Sequence, residues 1–149
     1  MKNNSSLFYV CSLLEYIGRL CKIERSKLVN QLGKNNIKRL YKDADTLHCE
    51  PIEKIADEVI FIYTITSGDF DNVLRCRYAV PDYWTIGAVY ERLIEDICAE
   101  NNSLDFIVDT LVSVYLSWID GAISNYNTDF FYQSREYIFE SWKEGTALQ

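Results

Sequence analysis

The 149-residue chain is 48% hydrophobic and 25% charged, which is typical of one globular domain, so residues 1–149 are expected to form a single domain. Its 15 basic and 22 acidic side chains give a formal charge of −7, which disfavours binding to negatively charged nucleic acids. No run of about 20 apolar residues is present and residues 1–6 are polar, so neither a transmembrane helix nor a signal peptide is predicted. The expected location is the cytoplasm.

Four helices are predicted in the first half of the chain. Ser5 or Ser6 can cap the first, whose apolar face is wide enough to contact more than one neighbour. Gly33 separates the short second and third helices, and Pro51 opens the fourth. Residues 58–65 are β-branched and aromatic and also fit a strand, although the helical period before them favours a helix. The predicted boundaries are 5–21, 24–32, 35–44 and 51–68.

Three helices are predicted in the second half. Pro81 and Asp82 open the fifth, Ser103 caps the sixth, and Thr128 or Asp129 caps the seventh. The predicted boundaries are 82–100, 103–121 or 103–126, and 128–145, after an irregular or short helical connection at 69–80. Two apolar stripes at helical spacing support the first two of these helices. They comprise Ile86, Val89, Tyr90, Leu93, Ile94, Ile97 and Cys98, and then Leu104, Ile107, Val108, Leu111, Val112, Tyr115, Trp118 and Ile119. The sequence therefore predicts an all-α, single-domain bundle of six or seven helices.

The sequence contains no motif for catalysis, metal binding or cofactor binding, and we predict none of these. Five cysteines without a Cys-x-x-Cys pair indicate neither a disulfide framework nor a zinc site. His48, Cys49 and Glu50 adjoin, but adjacent side chains of an extended segment point in opposite directions. We expect His48 to bond loop carbonyls and Cys49 to be buried, with an enzyme site around His48 as an alternative. Residues 68–72 are expected to form an Asx-turn rather than a calcium loop.

Two charged segments favour competing functions. Residues 22–42 carry seven cations on two short helices joined by a glycine turn, which also fits a DNA-binding regulator. The expected role of these cations is a solvated helix surface. Residues 91–109 carry acids that lie off the apolar stripes, and they predict a solvated face or an acidic docking surface. These acids are Glu91, Glu95, Asp96, Glu100, Asp105 and Asp109.

An aromatic group near the C-terminus predicts an interface. The cluster of Tyr126, Asn127, Phe130, Phe131, Tyr132 and Tyr137 is more aromatic than a single helix face can bury, so it is expected either to pack in the core or to remain partly exposed at an interface. Phe130 and Phe131 fit a buried stripe, whereas Tyr126 and Tyr132 lie at its flanks. Since tyrosines are frequent interface hot spots, we predict a protein partner or a second copy of the chain at this face.

Four segments carry a family resemblance. They are 40–50, 68–73 (Gly-Asp-Phe-Asp-Asn-Val), 80–94 (Val-Pro-Asp-Tyr-Trp-Thr-Ile-Gly-Ala-Val-Tyr-Glu-Arg-Leu-Ile) and 123–127 (Ile-Ser-Asn-Tyr-Asn). Through them the chain resembles a family of small uncharacterised all-helical proteins of Gram-positive bacteria. The resemblance implies companions of toxin-like genes, including genes of the ADP-ribosyltransferase type, and so an antitoxin-like neutralising partner. It implies no catalytic residue.

Overall fold

The computed structural model describes residues 4–148, and every regular element in that range is a helix. The first six helices are α1 (Ser5–Cys21), α2 (Arg25–Leu32), α3 (Lys34–Lys42), α4 (Ala44–Leu47), α5 (Ile52–Ile62) and α6 (Asn72–Arg75). They are followed by α7 (Tyr83–Cys98), α8 (Leu104–Tyr115), α9 (Trp118–Ser124), a 3₁₀ turn (Phe130–Tyr132) and α10 (Arg135–Glu144). The predicted all-α bundle is confirmed. Eight of the ten described α-helices have seven or more residues, close to the predicted number.

The first helix, α1, lies at the centre of the bundle. Side chains on nearly all its sides are buried, because α2, α3, α4, α5 and α7 pack around it, α7 most extensively. This confirms that its wide apolar face serves several neighbours. Asn4 caps α1 instead of Ser5 or Ser6, since its Oδ1 accepts a hydrogen bond from Leu7 N at 2.9 Å.

Helices α1 and α7 touch backbone to backbone at Gly87. A Cβ atom at this position would lie 2.8 Å from Ser12 Cα and 2.9 Å from Ser12 N, closer than real carbon contacts allow. The absence of a side chain at Gly87 therefore sets the spacing of the two longest helices in the described range. This contact therefore positions the side chains of α7 relative to α1.

The segment 58–65 contains no strand. Helix α5 continues to Ile62, and Ile65 N then donates a hydrogen bond to Ile60 O at 3.0 Å. Thr64 adopts a positive φ of 52°, which turns the chain away from the helix axis. The helical prediction is confirmed up to Ile62.

The predicted sixth helix is divided into two, and the seventh begins later than expected. Helices α8 and α9 meet at an angle of 68°, and Ser117 Oγ caps α9 by accepting from Ile119 N at 3.2 Å. Gly121 lies inside α9 instead of ending it. Ser134, rather than Thr128 or Asp129, caps α10. Within residues 4–148 no single helix is long and apolar enough to cross a membrane.

Alanine substitutions at two helical glycines should change the stability of the protein in opposite directions. Gly87→Ala should lower the free energy of unfolding by about 1–3 kcal/mol, because it forces α1 and α7 apart. Gly121→Ala is the matched control: a Cβ there meets nothing within 4 Å, so the variant should gain about 0.5–1 kcal/mol of helix stability. Urea unfolding followed by circular dichroism measures both. Equal effects of the two substitutions would contradict the close approach at Gly87.

Candidate functional site

A buried carboxylate on α1 is the centre of a polar network inside the bundle. Glu15 is fully buried and bonds two guanidinium groups. Arg25 donates from Nε to Glu15 Oε1 at 3.0 Å and from Nη2 to Oε2 at 2.9 Å, while Arg19 Nε donates to Oε2 at 2.9 Å. Such a forked pair is the strongest geometry for an arginine–carboxylate contact. The carboxylate therefore joins α1 firmly to the start of α2.

The remaining donors of Arg25 tie this pair to other segments. Its Nη1 donates to Ile23 O at 2.8 Å and its Nη2 also reaches Asn72 Oδ1 at 3.2 Å. Asn72 Nδ2 in turn donates to Ser124 O at 2.9 Å. One fully buried side chain thus links α1, α2, α6 and the end of α9.

Tyr126, one of the predicted interface residues, belongs to the same network. Its hydroxyl donates to Glu15 Oε2 and accepts from Arg19 Nη2 at 3.0 Å. The side chain is buried, so it is not part of an exposed face. The hydrogen bond to the buried Glu15 carboxylate explains why Tyr126, predicted to lie at the flank of an apolar stripe, points into the bundle.

The ionisation of Glu15 follows from these contacts. Burial by itself would raise the pKa of the carboxyl, but Arg25, Arg19 and the Tyr126 hydroxyl outweigh burial and lower the pKa below its usual value. A carboxyl whose pKa is lowered on folding stabilises the protein above its unfolded pKa. That stabilisation is lost as the pH falls through the folded pKa.

A cavity of about 360 Å³ opens beside this network. Asp120, at the start of α9, is 4% exposed and forms part of its wall. Asp120 Oδ1 accepts from Tyr90 OH at 2.6 Å, and Oδ2 accepts from Ser26 N at 3.2 Å. Burial raises the pKa of Asp120 to about 6, although both donors and Arg25 favour its ionised form.

Two acids predicted to be solvated are buried instead. Glu91 and Glu95 on α7 are 6% and 9% exposed, so the prediction of a solvated acidic face is wrong for them. If neither carboxyl is protonated, Glu91 Oε2 and Glu95 Oε1 have no hydrogen-bond partner among residues 4–148. Burial and the neighbouring Glu95 carboxyl raise the pKa of Glu91 to about 8, so one retained proton lets the pair bond. Arg135 lies 3.6 Å from Glu95 and 2.9 Å from Asp96.

The basic segment 22–42 is largely neutralised by the chain's own acids. Lys34 and Lys38 on α3 each lie 2.6 Å from a carboxylate of α8, Asp109 and Asp105 respectively. Lys22, Arg25 and Lys27 are also paired, so five of the seven cations contact carboxylates. The pairing of α3 with α8 gives the exposed acids at 105 and 109 an intramolecular role.

The other predicted interface residues do not form one surface. Phe130 is buried and Phe131 is half-buried, whereas Tyr132 is 83% exposed. The 3₁₀ turn explains this difference, because it directs successive side chains to different sides and packs Phe130 against Trp118 and Tyr137. Of the four predicted interface aromatics, only Tyr132 is exposed.

The residues at 48–50 do not assemble a site. His48 and Cys49 are exposed, so the expected burial of Cys49 is wrong, and its Sγ only donates to Asp45 O at 3.6 Å. Asp71 Oδ1 accepts from Leu74 N at 3.0 Å, so this residue caps α6 and does not form the predicted Asx-turn. Among the residues that the structure describes, no three His, Cys, Asp or Glu side chains are placed to hold a metal ion.

A half-exposed aromatic cluster, missed in the sequence, lies where α1 meets α7. It consists of Phe8, Tyr16, Tyr83 and Trp84, and we call it the α1–α7 aromatic cluster. Phe8 and Trp84 have ring centroids 5.5 Å apart, Tyr83 and Trp84 5.0 Å, and Tyr16 and Tyr83 5.1 Å. The signal that could have revealed it is the Tyr83-Trp84 pair directly after the α7 cap, where the first turn precedes the buried stripe.

Comparison of the chain with protein-family models, curated proteins and solved structures found no match.

Removal of Arg25 should destabilise the protein strongly. Arg25→Ala should lower the free energy of unfolding by about 3–5 kcal/mol, since it leaves a buried carboxylate without its forked partner. The double variant Glu15→Met, Arg25→Met should lose less than the sum of its single variants. Lys27→Ala, which removes an exposed pair, is the control and should change stability by under about 0.5 kcal/mol. Chemical denaturation measures these free energies of unfolding. An Arg25→Ala variant as stable as the control would contradict the stabilising role of the Arg25–Glu15 pair.

The Glu91–Glu95 pair should make stability depend on pH. The folded protein keeps a proton on Glu91 up to about pH 8, whereas the unfolded chain releases it near the ordinary value of 4.5. The free energy of unfolding should therefore fall as the pH rises through this window. Glu91→Gln should flatten the dependence and exceed the parent in stability above about pH 8. Urea midpoints across the window test this, with exposed Glu58→Gln as the control; a parental slope in Glu91→Gln would refute it.

Proposed function

We propose that the protein is a protein-interaction module and that the α1–α7 aromatic cluster is its contact surface. The observation that carries this proposal is the group of four rings in tilted or edge-to-face contact, with Trp84 38% exposed. Tryptophan and tyrosine dominate the residues whose truncation weakens protein complexes most.

The rigidity of the cluster supports the proposal. Its rings stand on two helices whose backbones touch at Gly87, only three residues after Trp84. A surface already fixed in the free protein loses little conformational entropy on binding, which favours affinity.

The charges around the cluster favour a basic partner. Burial, together with Glu53 and Asp57 on α5, raises the pKa of the Tyr16 hydroxyl, so these acids lie near the cluster. Asp82 caps α7 beside Tyr83, and the whole chain carries −7. A partner with an apolar centre and a basic rim complements this arrangement.

The family resemblance supports a more specific form of the proposal, in which the partner is a bacterial toxin-like protein and the complex forms in the cytoplasm. A neutralising protein needs no catalytic groups, which agrees with the exposed and isolated position of His48. The DNA-binding alternative has less support, because most cations of 22–42 are paired with the chain's own carboxylates.

Two equally exposed tryptophans provide a matched test. Trp84 and Trp118 are each 38% exposed, but only Trp84 belongs to the cluster. Trp84→Ala should weaken the complex with a co-expressed toxin-like protein of the ADP-ribosyltransferase type by about 2 kcal/mol or more, roughly 30-fold. Trp118→Ala should retain parental affinity. Calorimetric titration of the purified proteins gives both values, and parental binding by Trp84→Ala would reject the cluster as the contact surface.

The earlier-predicted aromatic face is tested in parallel through Tyr132. Tyr132→Ala should leave the melting temperature nearly unchanged, because the side chain is 83% exposed. If Tyr132→Ala weakens the complex and Trp84→Ala does not, the contact surface is the 3₁₀ turn. Sedimentation velocity of the parent distinguishes a second copy of the chain from a different protein partner.

A further inference from the structure

The cavity beside the polar network is bounded by side chains from four parts of the chain. Its walls come from the start of α2, the segment around α6, helix α9 and the residues that follow α9. The residues are Glu24, Phe70, Asn72, Arg75, Asp120, Gly121, Ser124, Asn125, Tyr126 and Asn127. A volume of about 360 Å³ falls within the range of small-molecule sites in proteins.

Asp120 is the one buried acid of this wall that has no cation. Its oxygens accept hydrogen bonds from Tyr90 OH and Ser26 N, but among the described residues no Lys, Arg or His nitrogen lies within 4.0 Å. Glu15, equally buried, bonds two arginines at 2.9 Å. A buried carboxylate without a counter-ion is unfavourable unless a positive charge can reach it.

The cations near the cavity are already engaged. Arg25 is held by Glu15, and Arg75 donates to Asp69 O at 3.3 Å with its guanidinium 5.8 Å from the centre of the Phe70 ring. Glu24 adds a second carboxylate to the wall, and its Oε2 lies 3.3 Å from Lys27 Nζ. Among the side chains that line the cavity, two are carboxylates, Asp120 and Glu24, and one is a guanidinium, Arg75.

Gly121 keeps the space next to Asp120 open. A Cβ atom on it would meet nothing within 4 Å, so the cavity extends over this position. A methyl group at 121 would therefore enter open space at the edge of the cavity.

We infer that this cavity binds a small organic cation, an amine or guanidinium compound, whose positive charge lies against the Asp120 carboxylate. The remainder of the ligand lies among the other lining residues, which include Phe70, Asn125 and Tyr126. The site is separate from the α1–α7 aromatic cluster and does not depend on the proposed protein partner.

Proton release accompanies binding in this site. Burial raises the pKa of Asp120 to about 6, and a cation that requires the ionised carboxylate expels the proton. Affinity should therefore increase from about pH 5 to about pH 7 and then level off. The groups that face Asp120 are Tyr90 from α7, Ser26 and Arg25 from α2, and Glu15 from α1. These groups keep their charge across that range, since Glu15 is held ionised and the pKa of Tyr90 is raised well above 10.

The test uses putrescine and agmatine as probes and 1,4-butanediol as the uncharged analogue of putrescine. Isothermal titration of the full chain should show binding of at least one cation at millimolar or lower concentration and none of the diol. Near pH 6, titrations in two buffers of different ionisation enthalpy should show release of a fraction of a proton, which disappears near pH 8. Absence of binding by both cations, or equal binding of the diol, would overturn the inference.

Two variants locate the binding. Gly121→Leu fills the cavity and should weaken binding of the active probe at least tenfold, whereas Ser113→Leu, on an exposed position of α8, should leave binding unchanged. Asp120→Asn should abolish the proton release. If Asp120→Asn does not fold, Gly121→Leu still decides the location, because a side chain added at 121 begins in open space. Parental affinity in Gly121→Leu would place any cation binding elsewhere and refute the assignment.

Discussion

The forked contact between Arg25 and Glu15 is the interaction on which the rest of the molecule depends. Both side chains are fully buried, so neither charge could be tolerated without the other. Room for the guanidinium exists only because α1 has a glycine at position 18, where a Cβ would lie 2.4 Å from Arg25 Cδ. From this pair, hydrogen bonds extend through Asn72 to the end of α9 and through Tyr126 to the segment before the 3₁₀ turn. The cavity wall is thus built from residues that the buried pair holds in place.

The side chains of helix α7 lie in three different environments along its length. Its first turn presents Tyr83 and Trp84 at the surface, its middle places Tyr90 against Asp120, and its last turns bury Glu91 and Glu95. Because Gly87 fixes this helix against α1, a shift of either helix would disturb the exposed rings and the buried acids together. The aromatic surface and the cavity are therefore mechanically connected through α7, although they lie on different parts of the protein.

Apolar periodicity was sufficient to predict the helices but not the fate of the charged side chains. The stripes containing Ile86, Leu93 and Leu111 gave the correct helices because burial of apolar residues follows the helical repeat. Glu91 follows Tyr90 but lies off that stripe, and it lies near Arg135 of α10, whose packing against α7 is not specified by local sequence. Glu15 is similar: its position among Leu13, Leu14 and Ile17 hinted at burial, but its partner Arg25 is reached only after the turn into α2. Breaks such as the one at Ser117 were missed because a cap inside an apolar run leaves the hydrophobic period almost unchanged.

The hydrogen bonds of the network also constrain how the chain can fold as it is synthesised. The Tyr126 hydroxyl that bonds Glu15 lies 111 residues later, and Asp120, which accepts from Ser26 N, lies 94 residues later. The first helices therefore leave the ribosome long before their buried polar groups can be satisfied. Contacts of such high sequence separation form slowly, because a long loop must close before any of them is gained. The polar groups of the N-terminal half that bond residues 120 and 126 are therefore satisfied only after α9 and the segment behind it have emerged.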